Sequence, residues 1–208
     1  MNFFGHAVVA SWRDNRARHL LGSMLPDFET MVRVPLTEVR DPVLQRGVEV
    51  HHRTDKEFHR APTFLSWCAR SLEELAAAGV GRGTARAVGH VGSEMFLDGW
   101  LVREQAHIDD YLAALDVDVD GLLGWQDQGR AFSKLHARLT LWGAPRDYAA
   151  PSFVLARLTD ALRPRPALAI HEDQVARVAE FLPALQQMVE HEAPELLHTL
   201  QDALGSED

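Results

Sequence analysis

The feature that most constrains this chain is the spacing of its apolar residues, which recur three and four positions apart along most of the 208 residues. This spacing places them on one face of an α-helix. The sequence lacks the alternating valine-rich runs and hairpin turns that are typical of β-sheets. We therefore predict an all-α fold, a single compact multi-helix domain over residues 1–208. The predicted helices span residues 3–12, 26–33, 42–60, 62–79, 83–105, 107–115, 126–142, 151–162 and 172–203.

Prolines mark several of the predicted helix ends. A proline fits the first turn of a helix, so we expect helices to begin at Pro26, Pro42 and Pro62. Asp41 precedes one of them, and its carboxylate is expected to cap the helix that follows. Pro183 and Pro194 lie inside the last predicted helix, and we expect them to kink it or cut it short.

Composition and charge exclude several classes of protein. The chain is 46% hydrophobic and 25% charged, which is typical of a soluble globular protein, and Cys68 is its single cysteine. One cysteine excludes a disulfide framework and a cysteine-based zinc site. No apolar run approaches the ~20 residues that cross a bilayer, and no signal peptide is evident, so we expect a cytoplasmic protein with no membrane partner.

The net charge of −9 argues against a nucleic-acid partner. The basic residues are nonetheless unusual, because nineteen are arginine and two are lysine. Arginine suits bidentate contacts with phosphate, so a local phosphate site is one interpretation. A compositional bias of the genome is the other.

The predicted helix 42–60 places polar groups on its apolar face. At 100° per residue, His51 and Asp55 lie within about 60° of each other and of three large apolar residues. An imidazole and a carboxylate one turn apart on a buried face are good metal ligands, although a hydrogen bond between them inside the core is the alternative. His52 and His59 lie at the boundary of this face, where they could support the ligands.

The predicted helix 83–105 repeats the arrangement. His90, Glu94 and Asp98 are spaced four residues apart, and leucines share the face of the first two. The alternative for this helix is a solvated acidic edge. Because two helices each direct an imidazole and a carboxylate toward apolar surface, we favour a metal site.

Two further residues are candidates for the same site. His6 lies in an apolar N-terminal stretch, and Asp27 follows Pro26, where it could also simply complement a helix dipole. A mixed set of nitrogen and oxygen ligands suits Mn²⁺, Fe²⁺, Zn²⁺ or Mg²⁺. The predicted metal ligands are His6, Asp27, His51, Asp55, His90 and Glu94, with His52, His59 and Asp98 in supporting positions.

Other catalytic motifs are weak in this sequence. A short Gly-Arg-Gly segment at residues 81–83 follows no predicted strand, so it does not indicate a phosphate-binding loop. Cys68 lies among large apolar residues and is expected to be inert core. The remaining histidines are expected at the surface, namely His19, His107, His136, His171, His191 and His198.

The order of several short motifs resembles the bacterial acyl carrier protein phosphodiesterase family. The motifs are Asn2–His6, Gly22–Phe28, Gly47–Asp55 with the later Pro62, and Glu94–Leu97, and the resemblance covers about the first 105 residues. It implies a helical fold related to HD-domain phosphohydrolases and a divalent metal, typically manganese. It also implies hydrolysis of the phosphodiester that joins 4′-phosphopantetheine to acyl carrier protein.

The residues that match the family motifs are His6, Asp27, His51 and Asp55. The chain departs from the family motifs at five positions that follow Asp55. Glu94 stands where the family has aspartate, Met95 and Ala61 stand where it has histidine, and His59 and His90 stand where an acid is expected. Since His59, His90 and Glu94 all remain able to bind a metal, we interpret the site as rearranged.

The resemblance also implies roles for individual residues. Asp27 is expected to bridge the metal and the attacking water, and Arg53 or Arg165 is expected to hold the phosphate. The substrate would be acyl carrier protein or a related small phosphoester, the latter favoured by the charge of −9, which repels an acidic carrier protein. The alternative is a non-catalytic helical protein with a degenerate metal site that acts through a protein partner or as a homodimer.

Overall fold

A computed structural model describes residues 1–205, and these residues confirm the all-α prediction. Two short strands, β1 and β2, and one turn of 3₁₀-helix accompany nine α-helices in this part of the chain. None of the helices described there is both long enough and apolar enough to cross a membrane. The helices are α1 (Phe3–Ser11), α2 (Ala17–Val32), α3 (Pro42–Phe58), α4 (Pro62–Ala77), α5 (Arg82–Leu101), α6 (Gln105–Leu115), α7 (Arg130–Trp142), α8 (Pro151–Leu162) and α9 (Glu172–Gly205).

The chain forms two compact units, each built from separate stretches of sequence. The first unit comprises Met1–Lys56 and Leu101–Pro145, and the second comprises Glu57–Trp100 and the chain from Arg146 onward. The chain therefore passes from one unit to the other three times.

The first unit is organised around α1, whose residues from Phe3 to Ala10 are all buried. This helix packs against α2 and α6. Aromatic side chains fill the space between them, with the ring of Phe3 5.9 Å from that of Phe28 and the ring of Phe4 5.3 Å from that of Tyr111. Apart from His6, the residues of α1 from Phe3 to Ala10 are glycine or apolar, and this explains why the helix is buried on every side.

The first unit also contains the two strands, which the sequence did not predict. Strand β1 (Leu36–Val39) pairs antiparallel with β2 (Leu123–Trp125). Each strand has four residues or fewer, which is too short for alternation of polar and apolar residues to be recognised.

Helix α2 corrects one predicted boundary. It begins at Ala17, so Pro26 lies in the helix interior and does not start it. Because proline has no N–H, the Gly22 carbonyl lacks its usual intrahelical donor. The earlier start of α2 also excludes the interpretation that Asp27 complements the positive end of a helix dipole. Asp27 lies beyond the middle of α2 and far from its N-terminus.

The second unit is organised around α9, which packs against α4 and α8. This helix continues through both Pro183 and Pro194, so, of the two predicted outcomes, the one in which proline cuts the helix short was wrong. Its buried face includes Leu182, Leu185 and Val189, as the sequence pattern predicted. Burial of this face stabilises the helix enough to offset the hydrogen bonds that the two prolines remove.

The predicted cap of α3 is present. Asp41 Oδ1 accepts hydrogen bonds from the backbone N–H groups of Val43 at 2.7 Å and Leu44 at 3.0 Å. Arg18 Nη1 donates to Asp41 Oδ2 at 2.6 Å. The backbone hydrogen bonds and the Arg18 guanidinium lower the pKa of Asp41.

Replacing Asp41 with alanine is expected to destabilise the protein by about 1–2 kcal/mol. The substitution removes the cap, so the two backbone N–H groups that donate to Asp41 Oδ1 lose their hydrogen-bond acceptor. Asparagine also caps helices, so Asp41→Asn should lose less than half as much. Since folding lowers the Asp41 pKa, this stability is present at neutral pH and disappears as the pH falls through the folded-state pKa. Urea denaturation of both variants measures the difference, and equal losses would exclude capping as the cause.

Candidate metal centres

Two glycines bring α2 and α3 into backbone contact in the first unit. A Cβ atom on Gly22 would lie 2.2 Å from the Leu44 carbonyl oxygen. A Cβ atom on Gly47 would lie 2.2 Å from the His19 carbonyl oxygen and 2.8 Å from the Gly22 Cα. No larger residue fits at either position. The close approach of the helices explains why side chains one turn further along α3 reach the backbone of α2.

Three predicted ligands from three helices meet beside this contact, in what we call the first group: His6 of α1, Asp27 of α2 and His51 of α3. Each offers one ligand atom, and these atoms lie within 4.8 Å of one another. His6 Nε2 is 4.0 Å from Asp27 Oδ2, and the His6 and His51 rings stack at 3.8 Å. Both histidines are buried.

The backbone of α2 fixes the orientation of the His51 ring. His51 Nδ1 lies 2.8 Å from the Ser23 carbonyl oxygen. A carbonyl only accepts, so Nδ1 carries the hydrogen and donates it, and the neutral ring keeps its Nε2 lone pair for a metal. Burial, with a smaller contribution from His6, lowers the pKa of His51 to about 3, so the ring is neutral at physiological pH.

Asp55 lies at the edge of the first group. Its Oδ1 is 3.7 Å from His6 Nε2 and 3.0 Å from the α-amino group of Met1. The Asp55 side chain is 39% exposed. The sequence had placed Asp55 on the apolar face of its helix, which predicts a more buried side chain. Asp55 therefore adds negative charge to the group from its solvent side.

A second group lies in the second unit and consists of His59, His90 and Glu94. His59 follows the end of α3, and the other two residues are one turn apart on α5. The distance from His59 Nε2 is 3.2 Å to His90 Nε2 and 3.3 Å to Glu94 Oε1, and His90 Nε2 lies 3.2 Å from Glu94 Oε1. All three residues are half-buried.

The charges of the second group depend on its surroundings as well as on its own contacts. A hydrogen bond with the Cys68 side chain, together with the Glu94 carboxylate, raises the pKa of His90 to about 9. Burial on its own would raise the pKa of Glu94, but positive charge outside the group and the hydrogen bonds with His59 and His90 lower it below its usual range. The group therefore holds a carboxylate between two imidazoles.

A cavity of about 570 Å³ adjoins the second group. His59 and His90 line it, as do Cys68, Arg86 and Arg165. The rest of its wall is apolar and comes from α4, α5, α8 and the connector that precedes α9. Cys68 is half-buried at this wall, so the prediction that it lies in the core was wrong, while its inertness stays a prediction.

The structure places the remaining predicted site residues as follows. Asp98 is fully buried in α5 and belongs to neither group. His52 is exposed, with its ring edge-on to that of His51 at 5.3 Å. Arg53 is exposed, in keeping with its place on the polar side of α3, and Arg165 is exposed at the cavity.

Sequence reasoning missed three features of these centres. The Ser23 carbonyl is the hydrogen-bond partner of His51, and a sequence alone does not show which backbone group will contact a side chain. Arg86 gave no signal because arginines are frequent throughout the chain. His19, predicted at the surface, is buried 3.9 Å from Asp14, because α2 begins earlier than predicted.

Comparison of the chain with models of protein families, with curated proteins and with solved structures found no match. The geometry defines an all-α protein that has, within residues 1–205, two groups of histidine and carboxylate side chains close enough together to hold a metal ion. The six predicted metal ligands divide between the two units, four in the first unit and two in the second.

Proposed function

We propose that this protein is a metal-dependent phosphodiester hydrolase and that the first group holds its divalent ion. One observation carries the proposal: His6, Asp27 and His51 come from three different helices and offer ligand atoms within 4.8 Å of one another. These are also three of the four residues that match the acyl carrier protein phosphodiesterase motifs. Manganese is the ion that this resemblance implies.

The donor set fits such an ion. Two imidazole nitrogens and a carboxylate oxygen suit Mn²⁺, Fe²⁺ or Zn²⁺. The His51 Nδ1–H is already used by the Ser23 carbonyl, which is the usual support for a ligating imidazole. Asp27 and Asp55 each place a carboxylate oxygen within 4.0 Å of His6 Nε2, and this negative charge would offset the charge of a divalent ion.

The residues of the first group have separate tasks in this hydrolysis. A divalent ion, when bound, lowers the pKa of water and offsets charge on the phosphate. Asp27, half-buried beside His6, accepts a hydrogen bond from the attacking water and directs its lone pair at phosphorus. His51 stays neutral and rigid because burial and the Ser23 carbonyl fix its protonation and orientation. The half-exposed Asp55 leaves a solvent side on which a substrate enters.

The proposed substrate is acyl carrier protein or a small phosphoester related to its prosthetic-group linkage. The charge of −9 disfavours approach of an acidic carrier protein, so a small phosphodiester is the better first substrate. Bis-p-nitrophenyl phosphate tests the reaction in general, and holo-acyl carrier protein tests it in particular.

Protein purified without chelator is expected to hydrolyse bis-p-nitrophenyl phosphate in the presence of Mn²⁺. In His51→Ala, manganese affinity should fall by about 100-fold or more, because a ligand and its oriented support are both lost. Elemental analysis and turnover measure the two effects. His191→Ala, a substitution of an exposed histidine in α9, is the matched control and should leave both unchanged.

The contrary result is equally specific. If the wild-type protein binds no divalent metal at the first group and hydrolyses neither substrate, the proposal fails. The group would then be a buried hydrogen-bond network in a non-catalytic helical protein.

A further inference from the structure

The second group has the dimensions of a zinc site. Its three ligand atoms form a nearly equilateral triangle with sides of 3.2, 3.3 and 3.2 Å. Ligand atoms around a tetrahedral zinc, at bond lengths of about 2.0–2.1 Å, lie about 3.3–3.4 Å apart. His59, His90 and Glu94 therefore already form one face of a zinc tetrahedron.

The chemistry of the ligands agrees with this geometry. Two imidazole nitrogens and one glutamate oxygen are a known ligand set for zinc with one open coordination position. Both imidazoles approach through Nε2, and Glu94 lies one turn after His90 on the same helix. A ring contact at 5.1 Å with Phe64 fixes the His90 ring, and the ring of His59 lies 5.2 Å from the same side chain.

The adjoining cavity provides room for a ligand at the open position. Two of the three ligating residues, His59 and His90, line the cavity. Two arginines, Arg86 and Arg165, line it as well, and within residues 1–205 neither guanidinium forms an ion pair with a carboxylate. Guanidinium groups that lack an acidic partner bind carboxylate or phosphate groups well.

The remainder of the cavity wall is apolar. Phe64, Leu72, Leu162 and Leu168 contribute to it. A ligand that fills this space has an apolar body, and its anionic end meets the arginines. The volume of about 570 Å³ matches the usual size of small-molecule sites.

We infer that His59, His90 and Glu94 bind zinc, and that the cavity binds an organic anion with an apolar body against Arg86 and Arg165. The zinc leaves one coordination position for that anion. This inference goes beyond the proposed hydrolase function, since it uses other residues in the other unit.

Zinc binding is best tested with the first group disabled. In the double variant Asp27→Asn/His51→Ala, the first group loses two ligands, so zinc that remains reports on the second group. We expect about one zinc per chain in this background and its loss on adding Glu94→Gln. Glu73→Gln, at an exposed position in α4, is the matched control and should retain zinc.

Cobalt provides a second readout that does not depend on affinity alone. Co²⁺ in a tetrahedral site absorbs visible light far more strongly than octahedral Co²⁺. We expect this absorption in the Asp27→Asn/His51→Ala background and its loss in His90→Ala. Absence of zinc from this background, or zinc that survives both Glu94→Gln and His90→Ala, would overturn the assignment of a zinc site. Neither outcome bears on manganese at the first group, so the two proposals fail separately.

The anion site is tested with phenyl phosphate as the probe and calorimetry as the readout. We expect zinc-loaded protein to bind phenyl phosphate, and to bind inorganic phosphate more weakly because inorganic phosphate leaves the apolar wall unfilled. Arg86→Gln/Arg165→Gln should weaken phenyl phosphate binding by about tenfold or more, since each charged hydrogen bond is lost. Arg82→Gln, at an exposed position outside the cavity wall, is the control. Equal affinities in wild type and the double arginine variant would overturn the anion site.

Discussion

Replacing Asp27 with asparagine is expected to reduce turnover of bis-p-nitrophenyl phosphate by more than about 100-fold. Loss of a residue that only supports a metal ligand already costs about 10–100-fold, and Asp27 is proposed as a direct ligand that also orients the water. Asparagine keeps the size of the side chain and removes its negative charge. Manganese affinity should therefore fall together with turnover, as elemental analysis and kinetics will measure.

The metal-free Asp27→Asn protein is expected to remain folded, with a free energy of unfolding within about 1 kcal/mol of wild type. Asp27 lies inside α2, so the substitution removes no helix cap. Asp109→Asn, at an exposed position in α6 of the same unit, serves as the control. If Asp27→Asn keeps its manganese and its turnover, Asp27 has no part in the site.

Replacing Gly47 with alanine is expected to destabilise the protein by about 3 kcal/mol or more. The added methyl group would lie 2.2 Å from the His19 carbonyl oxygen and 2.8 Å from both the Gly22 Cα and the Ser23 backbone nitrogen. Backbone atoms cannot move away by rotating, as a side chain can. Helices α2 and α3 must then separate, and the bond from His51 to the Ser23 carbonyl lengthens with them. Manganese affinity should fall although no ligand has changed.

Urea denaturation and metal analysis measure both effects. Gly205→Ala is the matched control, because a Cβ atom at that helical position meets nothing within 4 Å. Alanine is the better helix former, so the control should be neutral or slightly stabilising. A Gly47→Ala protein as stable as wild type would show that the two helices are not held in contact as described.

The helical architecture follows from local patterns, and it was predictable where those patterns are strong. Asp41 and the prolines at positions 42 and 62 mark helix starts that the structure confirms. Pro26 misled because tertiary packing tolerates a proline inside α2, and no local signal distinguishes that case from a helix start. The same reason explains why α9 runs through two prolines.

The candidate site was partly predictable for a different reason. A buried histidine needs a partner, so polar residues in apolar surroundings identified His6 and His51 without knowledge of their contacts. Asp27 was a candidate because of its place after Pro26 and its match to the family motif. Their grouping is a property of packing, and so is the separate grouping of His59 with His90 and Glu94. Sequence analysis assigned all these residues to one site, because periodicity along a helix does not show which helices pack against each other.

The threading of the chain through two units has a consequence for its synthesis. The ligands of the first group lie in the first 56 residues, but the unit that contains them is complete only at residue 145. At about 5–20 residues per second, a ribosome leaves that early segment without its full set of packing partners, which includes α6 and α7, for roughly 4 to 18 seconds. The side of α1 that packs against α6 is uncovered until α6 has been made, so the nascent chain is expected to bind chaperones that recognise hydrophobic segments. For the same reason, neither unit is expected to fold from a contiguous fragment, and a truncation at residue 100 should yield insoluble protein.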